Sequence, residues 1–251
     1  MNILPKIFTD YYEEIKYTLH HRDTEVENID KIINCGAPSF GDAMYACAHC
    51  ENLKFVPFRC HSRFCPTCGN KYSMERTTSM SFKLVKVTHH HYIFTIDEHL
   101  KEFFLKDCSL LNCLFHTVNS VVSRIFYKVN KSKNFTSSFI MVLHTFGRDL
   151  KWNPHIHCLI SKGRYSDDEF CRHISHFNYN YLRNAFSTAL LNEMESILDP
   201  SFKTIKSKCY ANNKYGFYVY AKPKLCDPKS GIKYIGRYLG RPVIPTFIIN
   251  I

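Results

Sequence analysis

Long apolar runs and leader-like segments are missing from this 251-residue sequence. No stretch of about 18 apolar residues occurs, so the sequence predicts no transmembrane helix. Met1–Asp10 lacks the continuous apolar core of a secretory signal, because Pro5 interrupts it. Internal repeats and low-complexity linkers are also absent. Because 45% of the residues are hydrophobic, we expect a soluble, folded protein rather than a disordered chain. The lack of a secretory signal and of a transmembrane run favours a reducing, intracellular compartment.

Acidic residues are scarce relative to basic ones. The chain has 22 Asp and Glu against 33 Lys and Arg, which gives a net charge of +11. A basic excess on a folded protein favours a polyanionic partner, for which nucleic acid is the first candidate. A ribosome-bound protein, or a soluble protein that is merely basic, has the same composition. The charge therefore supports a nucleic-acid partner without deciding it.

Six of the 12 cysteines lie between Cys35 and Cys68. Two CxxC pairs stand out there, Cys47–Cys50 and Cys65–Cys68, and this pattern is typical of a tetrahedral zinc site. The sequence predicts that these four cysteines bind one structural zinc. Cys60 and Cys35 remain alternatives, either in place of one of the four or as ligands of a second zinc.

The remaining sequence predicts an α+β fold with a central antiparallel sheet and flanking helices. Helices are expected at 5–33, 70–84, 97–129, 167–197 and 232–240. Strands are expected at His89–Ile96, Ser138–Thr145, His155–Ser161 and 215–221. We predict two domains, an N-terminal helix with the small zinc-binding module at 1–84 and a catalytic domain at 85–251. Asp97, which precedes a helix, is interpreted as its N-terminal cap.

Two histidines alternate on one predicted strand. His155 and His157 flank Ile156, so both imidazoles point to one face of the sheet. His144 ends the preceding strand and, in an antiparallel hairpin, can face the same side. Three protein ligands leave positions open for substrate oxygens and water, which is typical of a catalytic metal site. Two half-exposed strand histidines without a metal are the alternative interpretation.

Two tyrosines lie four residues apart in a basic segment. Tyr234 and Tyr238 share one face of the predicted helix, and the basic residues around them are Lys233, Arg237 and Arg241. An amphipathic helix that packs two aromatic rings would give the same pattern. Tyrosine, whose free pKa is about 10, becomes an effective nucleophile only when the target phosphate is polarised. A histidine-held metal supplies that polarisation, so the histidine strand and the tyrosine helix explain each other.

Three sequence blocks, in this order, closely resemble the two-tyrosine HUH rolling-circle transposases of bacterial insertion sequences. They are CAHC…CHSRFCPTC, HTFGRDLKWNPHIHCLIS and KYIGRYLGRPVI. The resemblance covers the chain from about Asn34 to Ile244. It implies that His155 and His157, with His144 as a third ligand, bind magnesium or manganese. It also implies that Tyr234 and Tyr238 cleave and rejoin single-stranded DNA through a 5′-phosphotyrosine link.

The resemblance implies further properties of this chain. DNA contacts are expected from Arg63, Arg148, Lys233, Arg237 and Arg241. Location at the bacterial nucleoid is expected, and self-association is left open. Members of the family continue beyond the tyrosine block, whereas this chain stops at Ile251, so we expect a C-terminally truncated copy.

Two other functions fit the same residues. A plasmid replication initiator or a relaxase uses the same histidine and tyrosine arrangement. A zinc-dependent DNA-binding protein without catalytic activity would share the basic charge and the aromatic content.

Overall fold

The computed structural model describes residues 3–18, 20, 22–62, 64–83, 87–129, 135–136, 138–147, 149, 151–161, 163–166, 171–173 and 178–221. These residues divide into two compact units, the first up to Ser79 and the second from Met80. In the described residues no helix combines the length and the apolar character needed to cross a membrane.

The first unit is built from helices around a hairpin. Helix α1 spans Ile3–Thr18 and α2 spans Asp23–Ile33, and a short 3-10 turn follows at Pro38–Phe40. Strands β1 (Asp42–Ala46) and β2 (Leu53–Pro57) form an antiparallel hairpin. Helix α3 begins at Pro66 and runs to Lys83. The α2 N-terminus carries Asp23 and Glu25, whose negative charges suit the positive end of the helix dipole.

The second unit centres on a four-stranded antiparallel sheet in the order β5-β6-β3-β9. Its strands are β3 (His89–Thr95), β5 (Phe139–Phe146), β6 (Trp152–Ser161) and β9 (Val219–Ala221). A separate three-stranded sheet consists of β4 (Phe135–Thr136), β7 (Gly163–Ser166) and β8 (Cys171–His173). Strands β6 and β3 are the two inner strands of the larger sheet.

Four helices belong to the second unit. They are α4 (Glu98–Lys106), α5 (Leu111–Val129), α6 (Tyr179–Ile197) and α7 (Phe202–Asn212). Asp97 caps α4 by accepting a hydrogen bond from the His99 N–H, and Asn178 caps α6 in the same way through Tyr181. A 3-10 turn at Cys108–Leu110 connects α4 to α5.

The two faces of the four-stranded sheet differ in composition. One face carries buried apolar residues that join α4, α5 and α6 in a single core, for example Tyr92, Phe94, Ile156 and Cys158. Phe94 meets Phe186 of α6 edge to face, with ring centroids 5.2 Å apart. Because side chains alternate along a strand, the intervening residues of β3 and β6 point to the other face, and they include His89, His91, His155 and His157.

The predicted α+β class with an antiparallel sheet and flanking helices is confirmed. The predicted helix 5–33 is two helices, interrupted between Thr18 and Asp23. The predicted helix 167–197 begins only at Tyr179, because Cys171–His173 pairs as a strand with β7. Helix α7 was not predicted, and the predicted helix 232–240 lies outside the described residues.

Candidate metal centres

Strand pairing brings three histidines onto one face of the sheet. His144 of β5 lies directly opposite His155 of β6 in the antiparallel register, and directly opposite residues share a face. His157 is two residues further along β6 and therefore also on that face. One ring nitrogen from each imidazole lies within 4.8 Å of the others. The pairing shifts register after His144, and such bulges are common beside functional sites.

Hydrogen bonding fixes the proton on His155. Its Nδ1 lies 2.6 Å from the carbonyl oxygen of Asn153, and a carbonyl can only accept. Nδ1 therefore carries the proton in the neutral ring, and the Nε2 lone pair points toward His157. The two Nε2 atoms of His155 and His157 are 3.1 Å apart. At this distance the two nitrogens share either a proton or a bound cation.

A fourth histidine supports this group from strand β3. His91 is buried, and its Nε2 lies 2.9 Å from Nδ1 of His157. The two rings stack with centroids 5.1 Å apart. Sequence reasoning did not assign His91 to the site. The available signal was the run His89–His91 at the start of a predicted strand, and the register of β3 with β6 places His91 on the same face as His155 and His157.

Burial keeps the imidazole of His155 in the neutral form that binds metals. Removal from water lowers the pKa of His155, the Asn153 carbonyl opposes this change, and the positive charge of Lys101 adds to it. Neutral imidazole nitrogens are ligands for manganese, zinc and other divalent ions. Three such nitrogens on one face fit a divalent cation with coordination positions left open.

The first unit contains a second group of metal-binding side chains. Its members are Cys35, Cys60, Cys65 and Cys68. The Sγ atom of Cys68 lies 3.6 Å from those of Cys35 and Cys60, and Cys65 Sγ lies 3.7 Å from Cys35 Sγ. A tetrahedral zinc with Zn–S bonds of about 2.3 Å places its sulfur atoms about 3.8 Å apart. The spacing of the four thiols therefore matches a closed, structural zinc site.

These four cysteines lie next to three secondary-structure elements. Cys35 follows the end of α2, Cys60 follows strand β2, and Cys65 and Cys68 lie at the N-terminus of α3. Buried Ile32 packs against the cluster. Burial acts to raise the pKa of Cys35, but the N–H of Cys60 and neighbouring thiols outweigh it, so the pKa of Cys35 is lowered. Thiolate is the form that binds zinc.

The grouping of the cysteines in the structure differs from the predicted zinc ligand set. Cys65 and Cys68 are grouped with Cys35 and Cys60, whereas Cys47 and Cys50 lie outside that group. Cys47 and Cys50 are exposed at the turn between β1 and β2. Cys60 follows the opposite end of the hairpin, and five paired residues separate the two ends by roughly 15 Å at about 3.3 Å per residue. The CxxC spacing alone did not reveal this hairpin.

Two known protein families match this chain, one in its N-terminal part and one in its C-terminal part. A family described as "Transposase zinc-binding domain" matches residues 7–96, and a family described as "Putative transposase" matches residues 138–249. Together the two matches cover most of the chain, which places it in the family of insertion-sequence transposases. It resembles a "Transposase for insertion sequence element IS801" of Pseudomonas savastanoi pv. phaseolicola, with 25% identity over 237 residues. No solved structure matches the transposase chain.

A second relative is the "Putative transposase y4qJ" of Sinorhizobium fredii (strain NBRC 101917 / NGR234), with 23% identity over 227 residues. The matches cover 89% and 84% of this transposase chain but 57% of each relative. The chain therefore spans a little over half the length of these two curated relatives.

Several residues that the sequence assigned to the transposase site lie outside the described residues. These are the two tyrosines and five basic residues, namely Tyr234, Tyr238, Arg63, Arg148, Lys233, Arg237 and Arg241. Except for Arg63, all of them fall within the segment 138–249 that matches the second family.

Proposed function

We propose that this transposase chain cleaves and rejoins single-stranded DNA at a divalent cation bound by His144, His155 and His157. The observation that supports this proposal is the convergence of three imidazoles, two of them with Nε2 atoms 3.1 Å apart, on one face of the sheet. Tyr234 and Tyr238 are the proposed nucleophiles. Magnesium and manganese are the proposed cations, as in the sequence-based expectation.

The proposed reaction exchanges one phosphoester for another. The phenolic oxygen of a tyrosine attacks the phosphorus, the bond from phosphorus to the 3′ oxygen breaks, and the phenolic proton leaves to solvent or a base. The products are a 5′-phosphotyrosine and a free DNA 3′-OH, and attack by a 3′-OH reverses the step. A bound divalent cation polarises the scissile phosphate. Because one ester replaces another, no nucleotide cofactor is needed.

The chain's own histidines have separate parts in this proposal. His155 and His157 present Nε2 lone pairs because Asn153 and His91 take up their Nδ1–H groups. His144 contributes the third nitrogen from the neighbouring strand. His91 is a positioning residue, since it contacts His157 and not the proposed cation.

The cysteine cluster has a structural part. We propose Cys35, Cys60, Cys65 and Cys68 as the ligands of the zinc-binding module, which orders the start of α3. Arg63, Arg148, Lys233, Arg237 and Arg241 are proposed to contact the DNA backbone, because guanidinium and ammonium groups neutralise phosphates.

A covalent-adduct assay tests the reaction. The purified chain would be incubated with labelled single-stranded oligonucleotides from the ends of its element, with magnesium or manganese, and run on a denaturing gel. We expect a metal-dependent adduct that disappears in the Tyr234→Phe/Tyr238→Phe double variant and in the His155→Ala/His157→Ala variant.

Tyr220→Phe is the matched control. Tyr220 lies on β9 opposite Ile93, which places it on the same sheet face as the histidines, and it is partly exposed. This variant should retain the adduct. A folded, zinc-loaded chain that binds the oligonucleotide but forms no adduct would instead indicate a DNA-binding protein without cleavage activity.

A further inference from the structure

The tip of the β1–β2 hairpin carries a cysteine pair that the four-cysteine cluster does not use. Cys47 and Cys50 are both exposed. A tight turn joins them, in which Glu51 has a positive φ of 56° and donates its N–H to the Cys47 carbonyl.

This cysteine pair could supply two ligands of a metal site. A tetrahedral zinc takes four ligands, and a CxxC turn supplies two of them. In the part of the chain that the structure describes, no further His, Cys, Asp or Glu joins Cys47 and Cys50 to make a group of three ligands. Two more ligands are needed to close the site.

The strands that lead to the tip expose apolar side chains. Met44, Leu53 and Phe55 are 61%, 56% and 59% exposed. The pairs Met44 with Phe55 and Ala46 with Leu53 place these side chains on one face of the hairpin. An isolated two-stranded hairpin is marginally stable in water, and an exposed apolar strand surface favours association.

A second copy of the chain supplies both missing features. It brings another Cys47–Cys50 pair and another apolar hairpin face, and a two-fold axis places the same surface of each copy against the other. We infer that Cys47 and Cys50 form half of a second zinc site, which two copies of this chain complete with one thiolate pair each. Metal binding releases the thiol protons and involves no oxidation. No residue of the histidine site takes part, so this inference stands independently of the proposed DNA cleavage.

Metal content and molecular mass together test the inference. Every sample would carry His155→Ala/His157→Ala, so that the histidine site adds nothing to the zinc count. The full chain would be purified in zinc with a thiol-free reductant, which excludes a disulfide-linked dimer. We expect a dimer by light scattering with about 1.5 zinc ions per chain. One zinc lies in the cluster of Cys35, Cys60, Cys65 and Cys68, and each chain holds half of the shared zinc. The Cys47→Ser/Cys50→Ser variant should be a monomer with about one zinc per chain. Cys108→Ser removes an exposed cysteine of the second unit and should change neither value.

Other outcomes would overturn the inference. A monomer with one zinc per chain, with Cys47 and Cys50 intact, means that the pair binds no metal. A monomer with two zinc ions per chain means that the same chain completes the site. If the double serine variant does not fold, Cys50→His decides, because imidazole is also a zinc ligand and this variant should keep the dimer. A dimer whose mass is unchanged after a chelator has removed the zinc contradicts a shared metal.

Discussion

His91 and His157 are in direct contact across the two inner strands of the sheet. Their nearest ring nitrogens, Nε2 of His91 and Nδ1 of His157, are 2.9 Å apart, and the rings are inclined by only 14°. One of these nitrogens must donate and the other accept. If His157 is to offer its Nε2 lone pair to a cation, its Nδ1 carries the proton and His91 accepts it. The contact is thus compatible with the ring form of His157 that suits metal binding.

Substitution of His91 should therefore weaken metal binding. We expect His91→Leu to lower the manganese affinity by about 10- to 100-fold, the usual effect of losing such a supporting hydrogen bond. His91→Asn keeps an acceptor and should recover part of the affinity. Isothermal titration with manganese measures both.

His89→Gln is the matched control for this prediction. His89 is a buried residue of the same strand and the same face, but the partner of His157 is His91. Equal loss of affinity in His89→Gln and His91→Leu would mean that general packing, and not the contact with His157, is responsible.

Loss of one cysteine from the cluster of Cys35, Cys60, Cys65 and Cys68 should release the zinc proposed to bind there. Cys60→Ser removes one of four closely spaced thiols, so we expect loss of the module zinc and of cooperative unfolding of the first unit. Zinc content and hydrogen exchange measure these effects. Cys108→Ser should leave both unchanged. If Cys60→Ser keeps this zinc and Cys47→Ser loses it, the ligands are instead Cys47, Cys50, Cys65 and Cys68, as the CxxC spacing predicted.

Asp97 links the start of α4 to the end of α7. Its carboxylate accepts hydrogen bonds from the His99 N–H and from the Asn213 side chain. Burial acts to raise the pKa of Asp97, but these hydrogen bonds and His99 outweigh it, so the folded-state pKa is lowered. A lowered pKa stabilises the fold above the unfolded-state value of about 3.9, and this contribution is lost as the pH falls below it.

Asp97→Ala should therefore cost about 1–2 kcal/mol at neutral pH, and the difference from wild type should shrink below about pH 4. Urea unfolding followed by tryptophan fluorescence measures it. The single tryptophan, Trp152, donates its Nε1–H to the Lys101 carbonyl of α4 and so reports on the second unit. Asp199→Ala, at an exposed position, is the control. A deficit that does not depend on pH would contradict the charge-based explanation.

Gly216 occupies a position that no other residue fits. Its φ is +76°, and an added Cβ would collide with the backbone carbonyl of Arg183 and the nitrogen of Asn184 in α6. We expect Gly216→Ala to cost more than about 1–2 kcal/mol, because a backbone clash adds to the cost of the left-handed conformation. The same fluorescence assay measures this loss.

Gly147→Ala is the control for that substitution. At Gly147 the close contact of an added Cβ is with the side chain of Asp149, which can move. A small loss is expected there. Similar losses at both glycines would mean that the contact of Gly216 with α6 is not important.

Local sequence patterns were sufficient to predict part of the candidate histidine site. Alternation on a strand places His155 and His157 on one face, and a short connection between two strands favours the hairpin that brings in His144. Both inferences need only nearby residues. The CxxC spacing likewise indicated a zinc module, although it did not indicate which cysteines come together.

The remaining features depend on contacts between residues far apart in the chain. Cys35 and Cys68 are 33 residues apart, and their meeting depends on how α2, the hairpin and α3 pack. His91 and His157 are 66 residues apart, and their contact depends on the pairing of β3 with β6.

The sequence by itself determined the α+β class, the family resemblance, the metal-binding residue types and the face on which the histidines lie, because periodicity and spacing are local properties of a chain. Only the tertiary structure decided that Cys35 and Cys60 join Cys65 and Cys68, that Cys47 and Cys50 lie apart, and that His91 contacts His157. Strand register and helix packing bring these residues together, and both are set by burial of the whole core, which no short segment encodes alone.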